Sequence, residues 1–177
     1  PDLVISDVLM PGLDGFGLCR VLKRDVALRD VPVILLSWKE DLLQRVRELG
    51  AEADGYLQKQ ASAAAIVARV REVMAPKRRI LARLEGGGEV RGRIDGLTLR
   101  SLLALVCSAR PSSTLSIRDA SHLYEVEIRG AAPIRATRTA PDGMFERGPR
   151  VLTALLGVGA GRFAVSPPPP SDVALPS

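Results

Sequence analysis

The first part of the chain alternates short apolar runs with segments of helical spacing. The apolar runs lie at residues 2–7, 31–36 and 53–57. The segments with apolar residues along one helical face lie at residues 15–28, 41–49 and 62–74. Strands that are apolar on both faces and are joined by helices predict a parallel sheet covered on both sides, which is a doubly wound α/β domain.

The second part of the chain has a different pattern. Residues 97–109 have helical spacing, whereas residues 114–118 and 123–128 alternate apolar and polar positions as half-buried strands do. A turn at 130–133 leads into a further strand, and these are followed by a helix at 149–156 and a last strand at 161–165. Grouped strands with helices before and after them predict a smaller α+β domain built on an antiparallel meander.

Pro76 and the basic residues that follow it separate the two patterns. We expect domains at 1–75 and 81–165, a basic linker at 76–80 because proline breaks helices, and an extended proline-rich tail at 166–177. Residues 1–75 carry 10 basic and 11 acidic residues, and residues 76–177 carry 15 and 9. The positive charge of the chain therefore belongs to its second half.

The composition excludes several classes of protein. With one histidine and two cysteines, the chain lacks the ligands for a zinc cluster and the material for a disulfide framework. No run approaches the ~20 apolar residues that cross a bilayer, so we expect no membrane insertion. The two cysteines, each inside an apolar helical pattern, fit a reducing cytoplasm.

Polar residues end or directly follow each predicted strand of the first domain. These are Asp7, Ser37 and Lys59. Since the carboxyl ends of parallel strands meet at one edge of a sheet, we expect the three side chains to lie together. A carboxylate can accept a phosphoryl group, and an ammonium and a hydroxyl can bind the phosphoryl oxygens.

Residues 1–75 resemble the receiver domain of two-component response regulators. The residues that carry the resemblance are Asp7-Val-Leu-Met-Pro-Gly-Leu-Asp-Gly15, Pro32-Val-Ile-Leu-Leu-Ser37 and Gly55-Tyr-Leu-Gln-Lys59. The resemblance implies that Asp7 is the phosphoacceptor and, with the backbone carbonyl of Leu9, a ligand of Mg²⁺. It also implies that Ser37 and Lys59 bind the phosphoryl group and that Tyr56 is a switch aromatic that moves inward on activation.

The sequence departs from the receiver pattern in several places. It matches strands 3–5 of the flavodoxin-like order 2-1-3-4-5, so we expect a fragment without the acidic pair that completes the Mg²⁺ site. Mg²⁺ binding and self-phosphorylation are therefore expected to be poor in these 177 residues. Gln60 stands where the family has a proline. Trp38 follows Ser37 where a small residue is usual, and Lys39 adds a positive charge. We expect both to modulate access to Asp7, although Trp38 could instead pack on the next helix.

Residues 81–165 are similar to the PATAN-type domain, which is often fused to receivers. The similarity rests on the segments at 99–105, 128–136, 154–156 and 161–163. It implies a protein–protein interaction module of signalling pathways that has no catalytic residues of its own.

Together these features predict a cytoplasmic response regulator of a bacterial phosphorelay. It is not expected to be an enzyme beyond catalysing phosphotransfer to its own aspartate. The expected partners are a sensor histidine kinase or phosphotransfer protein, a downstream signalling protein, and a second receiver in a homodimer. Two alternatives remain open, a DNA-binding transcriptional regulator and a scaffold that works without phosphorylation. The arginines of the second half are scattered in sequence and no helix-turn-helix pattern is evident, which disfavours nucleic acid.

Overall fold

A computed structural model describes residues 1–25, 28–38, 53–94 and 97–168. The chain divides into two compact units, Pro1–Ala75 and Pro76–Ser177. The elements that begin in the first unit are β1 (Val4–Asp7), α1 (Gly15–Arg24), β2 (Val33–Ser37), β3 (Gly55–Gln58) and α2 (Ala63–Glu85). The helix predicted at 41–49 lies outside the described residues.

The three strands of the first unit form a parallel sheet in the order β1-β2-β3. Val33 and Leu35 of β2 are fully buried on one face, where Cys19 of α1 belongs to the same cluster. On the other face, a methyl group added at Gly55 would lie 3.4 Å from Val73 of α2. Helices therefore cover both faces of the sheet, as predicted for an α/β fold with a parallel sheet.

An ion pair lies at the amino end of this sheet. Lys23 near the end of α1 binds Asp54, with 2.8 Å between Nζ and Oδ2. The same carboxylate oxygen accepts the backbone N–H of Val33 at 2.8 Å, and the Lys23 ammonium also donates to the carbonyl of Val31 at 3.3 Å. These contacts tie α1, the start of β2 and the approach to β3 together.

The helix break expected at Pro76 is wrong, because α2 runs from Ala63 to Glu85 with Pro76 inside it, although the two units divide between Ala75 and Pro76 as expected. A proline removes one backbone hydrogen bond of a helix and crowds the carbonyl four residues earlier, here that of Glu72. The residues beyond it compensate, since Ile80 and Leu84 are buried in the core of the second unit. Burial of this apolar face stabilises the helix past the proline.

The second unit contains a six-stranded antiparallel sheet. Its further elements are β4 (Val90–Arg93), α3 (Leu99–Ala109), β5 (Ser113–Arg118), β6 (Leu123–Arg129), β7 (Ala132–Thr139), β8 (Phe145–Arg147), α4 (Pro149–Leu156) and β9 (Arg162–Ser166). The strand order is β4-β9-β5-β6-β7-β8. The meander of β5 to β8 is consistent with the predicted domain, and α4 lies at its predicted positions. β4 and β8 were not predicted, and β9 returns to pair between β4 and β5.

Helices cover one face of this sheet and leave the other polar. The fully buried strand residues alternate along the chain, as in Leu115 and Ile117 of β5 and Phe163 and Val165 of β9. They share one core with buried residues of the helices, namely Ile80, Leu84, Leu99, Leu102, Val106, Val151 and Leu155. Because strand side chains alternate in direction, the residues between the buried ones lie on the opposite face.

Replacing Pro76 with alanine tests whether α2 is continuous. We expect Pro76→Ala to raise the free energy of unfolding by about 2 kcal/mol, since it restores a helical donor and removes a steric clash. Thermal and denaturant unfolding followed by circular dichroism measures the change. In Pro141→Ala, which changes a proline in an exposed turn, we expect a loss of no more than about 1 kcal/mol. If Pro76→Ala raised the free energy of unfolding no more than Pro141→Ala does, the residues around Pro76 would not be helical in solution.

Candidate functional site

The carboxyl edge of the parallel sheet brings together the polar residues that the sequence singled out. Asp7 ends β1, Ser37 ends β2, and Lys59 directly follows β3. The strand register aligns them, because Asp7 is the pairing partner of Leu36 and the backbone N–H of Lys59 donates to the carbonyl of Ser37 at 2.8 Å. Asp7 and Lys59 are in contact through their side chains, and Ser37 lies at the end of the strand between them.

Asp7 and Lys59 form an ion pair at this edge. The Lys59 ammonium donates to Oδ2 of Asp7. The side chain of Lys59 is 21% exposed and that of Asp7 is 37% exposed. A partly exposed carboxylate remains accessible to a reactant from solvent. The ammonium beside it supplies a positive charge where a negative group added to Asp7 would lie.

Trp38 adds an aromatic ring to the same edge. The Lys59 ammonium lies 5.3 Å from the centre of the Trp38 ring, within the range of a cation–π interaction. The tryptophan is 60% exposed, so the described residues do not bury it. Lys39, which the sequence also marks as modulating access, lies outside the described residues.

Ser37 and Tyr56 both lie on the face of the parallel sheet that packs against α1. Ser37 is only 3% exposed and lies on the face of β2 that also carries Val33 and Leu35. Tyr56 pairs with Leu35 across the strands and packs against the cluster formed by the buried residues of β2 and α1. The tyrosine is half-buried on the α1 side of the sheet, so its ring has one side on the core and one side towards solvent.

The loop after Asp7 is closed by a tight contact between α1 and β1. Asp14 is the N-cap of α1 and accepts the backbone N–H of Gly17 at 2.6 Å. The backbone N–H of Gly15 donates to the carbonyl of Val8 at 2.8 Å. A β-carbon added at Gly15 would lie 2.2 Å from the carbonyl oxygen of Asp7. The Asp-Gly pair thus fixes α1 against the end of β1.

The described residues supply few ligands for a divalent cation at this edge. Among residues 1–25, 28–38, 53–94 and 97–168, no three His, Cys, Asp or Glu side chains are grouped as a metal site. Asp7 offers one carboxylate, which is paired with Lys59, and Leu9 is exposed with its carbonyl in the adjacent loop. Mg²⁺ requires near-octahedral oxygen coordination, so this set alone is an incomplete Mg²⁺ site.

Comparison with known proteins identifies the class of the first unit. Residues 1–71 match the family model described as the response regulator receiver domain. The response regulator PleD of Caulobacter vibrioides is 36% identical over 102 residues, which are 56% of this chain and 22% of that protein. The phosphate regulon transcriptional regulatory protein PhoB of Klebsiella pneumoniae is 39% identical over 74 residues, which are 42% of this chain and 32% of that protein.

A solved structure is also similar in sequence to part of this chain. The signal receiver domain of a signal transduction histidine kinase from Syntrophus aciditrophicus is 42% identical, with a TM-score of 0.39. That match covers 43% of this chain and 58% of the other.

Residues 1–71 are a response regulator receiver domain of the two-component type. Receiver domains are signalling phosphoacceptors that bind Mg²⁺ and interact with histidine kinases or phosphotransfer proteins. The chain spans about a fifth to a third of the curated relatives it matches. Among the described residues, no helix has both the length and the apolar character needed to cross a bilayer.

Two features of the site were not predicted from the sequence. The contact between Lys59 and the Trp38 ring depends on how far each side chain reaches across strand ends, which no spacing rule gives. The close approach of Gly15 to Asp7 had a signal, because glycine directly after a helix-capping aspartate is a site where backbone segments meet. That signal lay within the phosphoacceptor motif itself.

Two glycines of α1 provide a matched test of this contact. We expect Gly15→Ala to lower the free energy of unfolding by about 2 kcal/mol, because the new methyl group meets backbone that cannot yield easily. In Gly17→Ala the methyl group meets side chains instead of backbone, namely the flexible end of Leu13 and, at 3.2 Å, the Asp14 carboxylate oxygen, and the gain in helix propensity offsets these contacts. Urea unfolding of both variants measures the difference. Equal stability of the two would contradict the geometry at Asp7.

Proposed function

We propose that this chain is part of a response regulator in which phosphorylation of Asp7 controls a protein-interaction output by the second unit. The observation that carries the proposal is the Asp7–Lys59 ion pair beside Ser37 at the carboxyl edge of a receiver sheet. A solvent-accessible carboxylate with a fixed cation next to it is suited to accept a phosphoryl group and to keep its charge in one place.

The chemistry is a transfer between two oxygen atoms. An oxygen of the Asp7 carboxylate attacks phosphorus of the donor, a new P–O bond forms, and the bond from phosphorus to the donor group breaks. With acetyl phosphate as donor, acetate leaves with the electron pair of that bond. The product is an aspartyl phosphate, whose negative charge the Lys59 ammonium compensates.

Phosphorylation of Asp7 changes the positions of Ser37 and Tyr56. The hydroxyl of Ser37 is one strand from Asp7 and is the donor we assign to a phosphoryl oxygen, while Lys59 turns from the carboxylate to the phosphoryl group. Movement of Ser37 opens space on the α1 side of the sheet, where Tyr56 already contacts the core. A local change of charge thereby shifts the surface around β3 between two states.

A divalent cation, when bound, would neutralise charge on the phosphoryl oxygens. The ligands that we assign to it in this chain are the carboxylate of Asp7 and the backbone carbonyl of Leu9. Since these do not complete an octahedral site, we expect weak Mg²⁺ binding by these 177 residues alone.

The second unit is the output, and we assign it to the PATAN type. Protein interaction is favoured by three large apolar side chains that stand in solvent at one end of its sheet, Ile134, Met144 and Phe145, each at least 57% exposed. Phe145 begins β8, an edge strand of only three residues, and Met144 directly precedes it. Exposed apolar groups next to an unpaired strand edge are typical of protein-docking surfaces.

DNA binding is the second candidate, because relatives such as PhoB are named transcriptional regulators. They share only the receiver-sized part of the chain. Within residues 76–94 and 97–168, each helix is followed along the chain by a strand, so no two successive helices form a helix-turn-helix. This favours the protein-interaction output. The histidine kinase, the downstream partner, pairing of receivers and a cytoplasmic location remain predictions.

Intact-mass spectrometry tests the phosphoacceptor. We expect the native protein, with any segment that precedes Pro1, to gain about 80 Da per molecule when incubated with acetyl phosphate and Mg²⁺. Asp7→Asn should gain nothing. Asp14→Asn is the matched control, because it removes a carboxylate from the same loop while asparagine keeps the N-cap, and it should be phosphorylated normally. A gain that persists in Asp7→Asn would assign the phosphate elsewhere, and no gain with acetyl phosphate or a purified kinase would favour the scaffold.

Trp38 provides an optical signal for the same event. It is the only tryptophan of the chain, and the Lys59 ammonium lies near its ring. We expect phosphorylation to draw Lys59 from the ring and change the emission, whereas Asp7→Asn should show no change.

We expect Trp38→Ala to raise the rates of phosphorylation and of phosphate loss about two- to tenfold, because less side chain covers Asp7. Unchanged rates in Trp38→Ala would remove the access role.

A further inference from the structure

Three arginines that are far apart in sequence lie side by side on the polar face of the six-stranded sheet. Arg93 of β4 pairs with Arg162 of β9, and Arg162 pairs with Arg118 of β5. The three strands are adjacent, and neighbouring strands are about 4.8 Å apart, so the arginines form a row about 10 Å long. All three are exposed. We call Arg93, Arg162 and Arg118 the arginine row.

The charge of the arginine row is not compensated within the described residues. None of its three guanidinium groups has an ion-pair partner there. Nearby Arg91 is different, because its guanidinium binds Glu89 with 2.8 Å between Nε and Oε1. Like charges directly opposite each other in a sheet are destabilising, so the row lowers stability unless an anion lies over it.

A surface cavity of about 710 Å³ lies over the arginine row. Its walls include all three arginines together with Leu123, Ala164 and Ser116. Ala164 and Ser116 are paired in the next row of the sheet, where their short side chains leave space beside the long arginines. The volume is that of pockets that hold small ligands.

We propose that the arginine row binds a compact anion with two or more adjacent phosphoryl groups, such as a diphosphate or the diphosphate part of a nucleotide. Guanidinium groups bind phosphoryl oxygens through paired hydrogen bonds, and three of them in a row match several neighbouring oxygens. The Ser116 hydroxyl offers a further donor, and Leu123 offers an apolar contact for a base or another organic group.

The surrounding charges favour a compact anion over a nucleic acid. On the same face, Glu125 pairs with Ser116 and Glu127 pairs with Thr114, which places carboxylates on the strand next to β5. Glu89 lies at the other side of the cavity. Glu89 and Glu127 are ion-paired with arginines, so the carboxylate of Glu125 is the one that a duplex or single strand extending past the row would meet, whereas a diphosphate fits beside it.

Calorimetric titration of the full chain with pyrophosphate, ADP and adenosine in EDTA tests the proposal. We expect pyrophosphate and ADP to bind and adenosine not to bind. Arg162→Gln and Arg93→Gln should each weaken binding about tenfold or more, because each removes charged hydrogen bonds. Arg150→Gln is the matched control, since it removes one exposed charge on α4 outside the cavity, and it should bind like the parent chain. Asp7→Asn should also bind normally, which separates this site from the phosphoacceptor.

The outcomes separate the possible ligands. Equal binding of pyrophosphate and ADP would support recognition of the phosphoryl groups alone, and tighter binding of ADP would support an added contact to the nucleoside. Thermal unfolding gives an independent check, because Arg162→Gln without ligand should be at least as stable as the parent. Absence of binding at millimolar concentration, undiminished binding by Arg162→Gln, clear destabilisation of that variant, or displacement of pyrophosphate by duplex DNA would each overturn the proposal.

Discussion

The parallel register of β1, β2 and β3 determines the chemistry of the receiver unit. Parallel strands all end at the same edge, so the residue that closes each strand meets the residues that close its neighbours. Asp7 and Lys59 come from positions far apart in sequence, and only this register brings the carboxylate and the ammonium together, with Ser37 at the end of the strand between them. A shift of one residue in β3 would turn Lys59 to the other face of the sheet and separate it from Asp7.

The Asp7–Lys59 pair and the arginine row differ in how their charges are compensated. In the receiver unit the Lys59 ammonium is already bound to Asp7, so added negative charge redistributes an existing pair. In the second unit Arg93, Arg162 and Arg118 stand next to each other with no acidic partner among the described residues. The first arrangement suits a covalent switch, in which a positioned cation follows the modified group. The second suits reversible binding, in which the ligand brings the missing charge.

The sequence predicts the receiver unit more completely than the second unit, and the reason is physical. Short strands that are apolar on both faces, with polar residues at their ends, are a local pattern that suffices to identify Asp7, Ser37 and Lys59. The helix break predicted at Pro76 is wrong because it rests on local propensity alone. The helix continues because Ile80 and Leu84 are buried by tertiary packing. The arginine row cannot be read from sequence, because β9 pairs between β4 and β5 and no local pattern specifies that insertion.

The six-stranded sheet separates the residues that fold the second unit from those available for binding. On β5 and β9 the buried positions, such as Ile117 and Phe163, alternate with Arg118 and Arg162. The two faces therefore experience different constraints, since a change on the core face leaves a cavity while a change on the polar face alters only charge and exposure. Repulsion within the arginine row is tolerated because the core beneath it supplies stability independently. An unfavourable cluster of like charges on such a face is consequently better explained by a ligand than by folding.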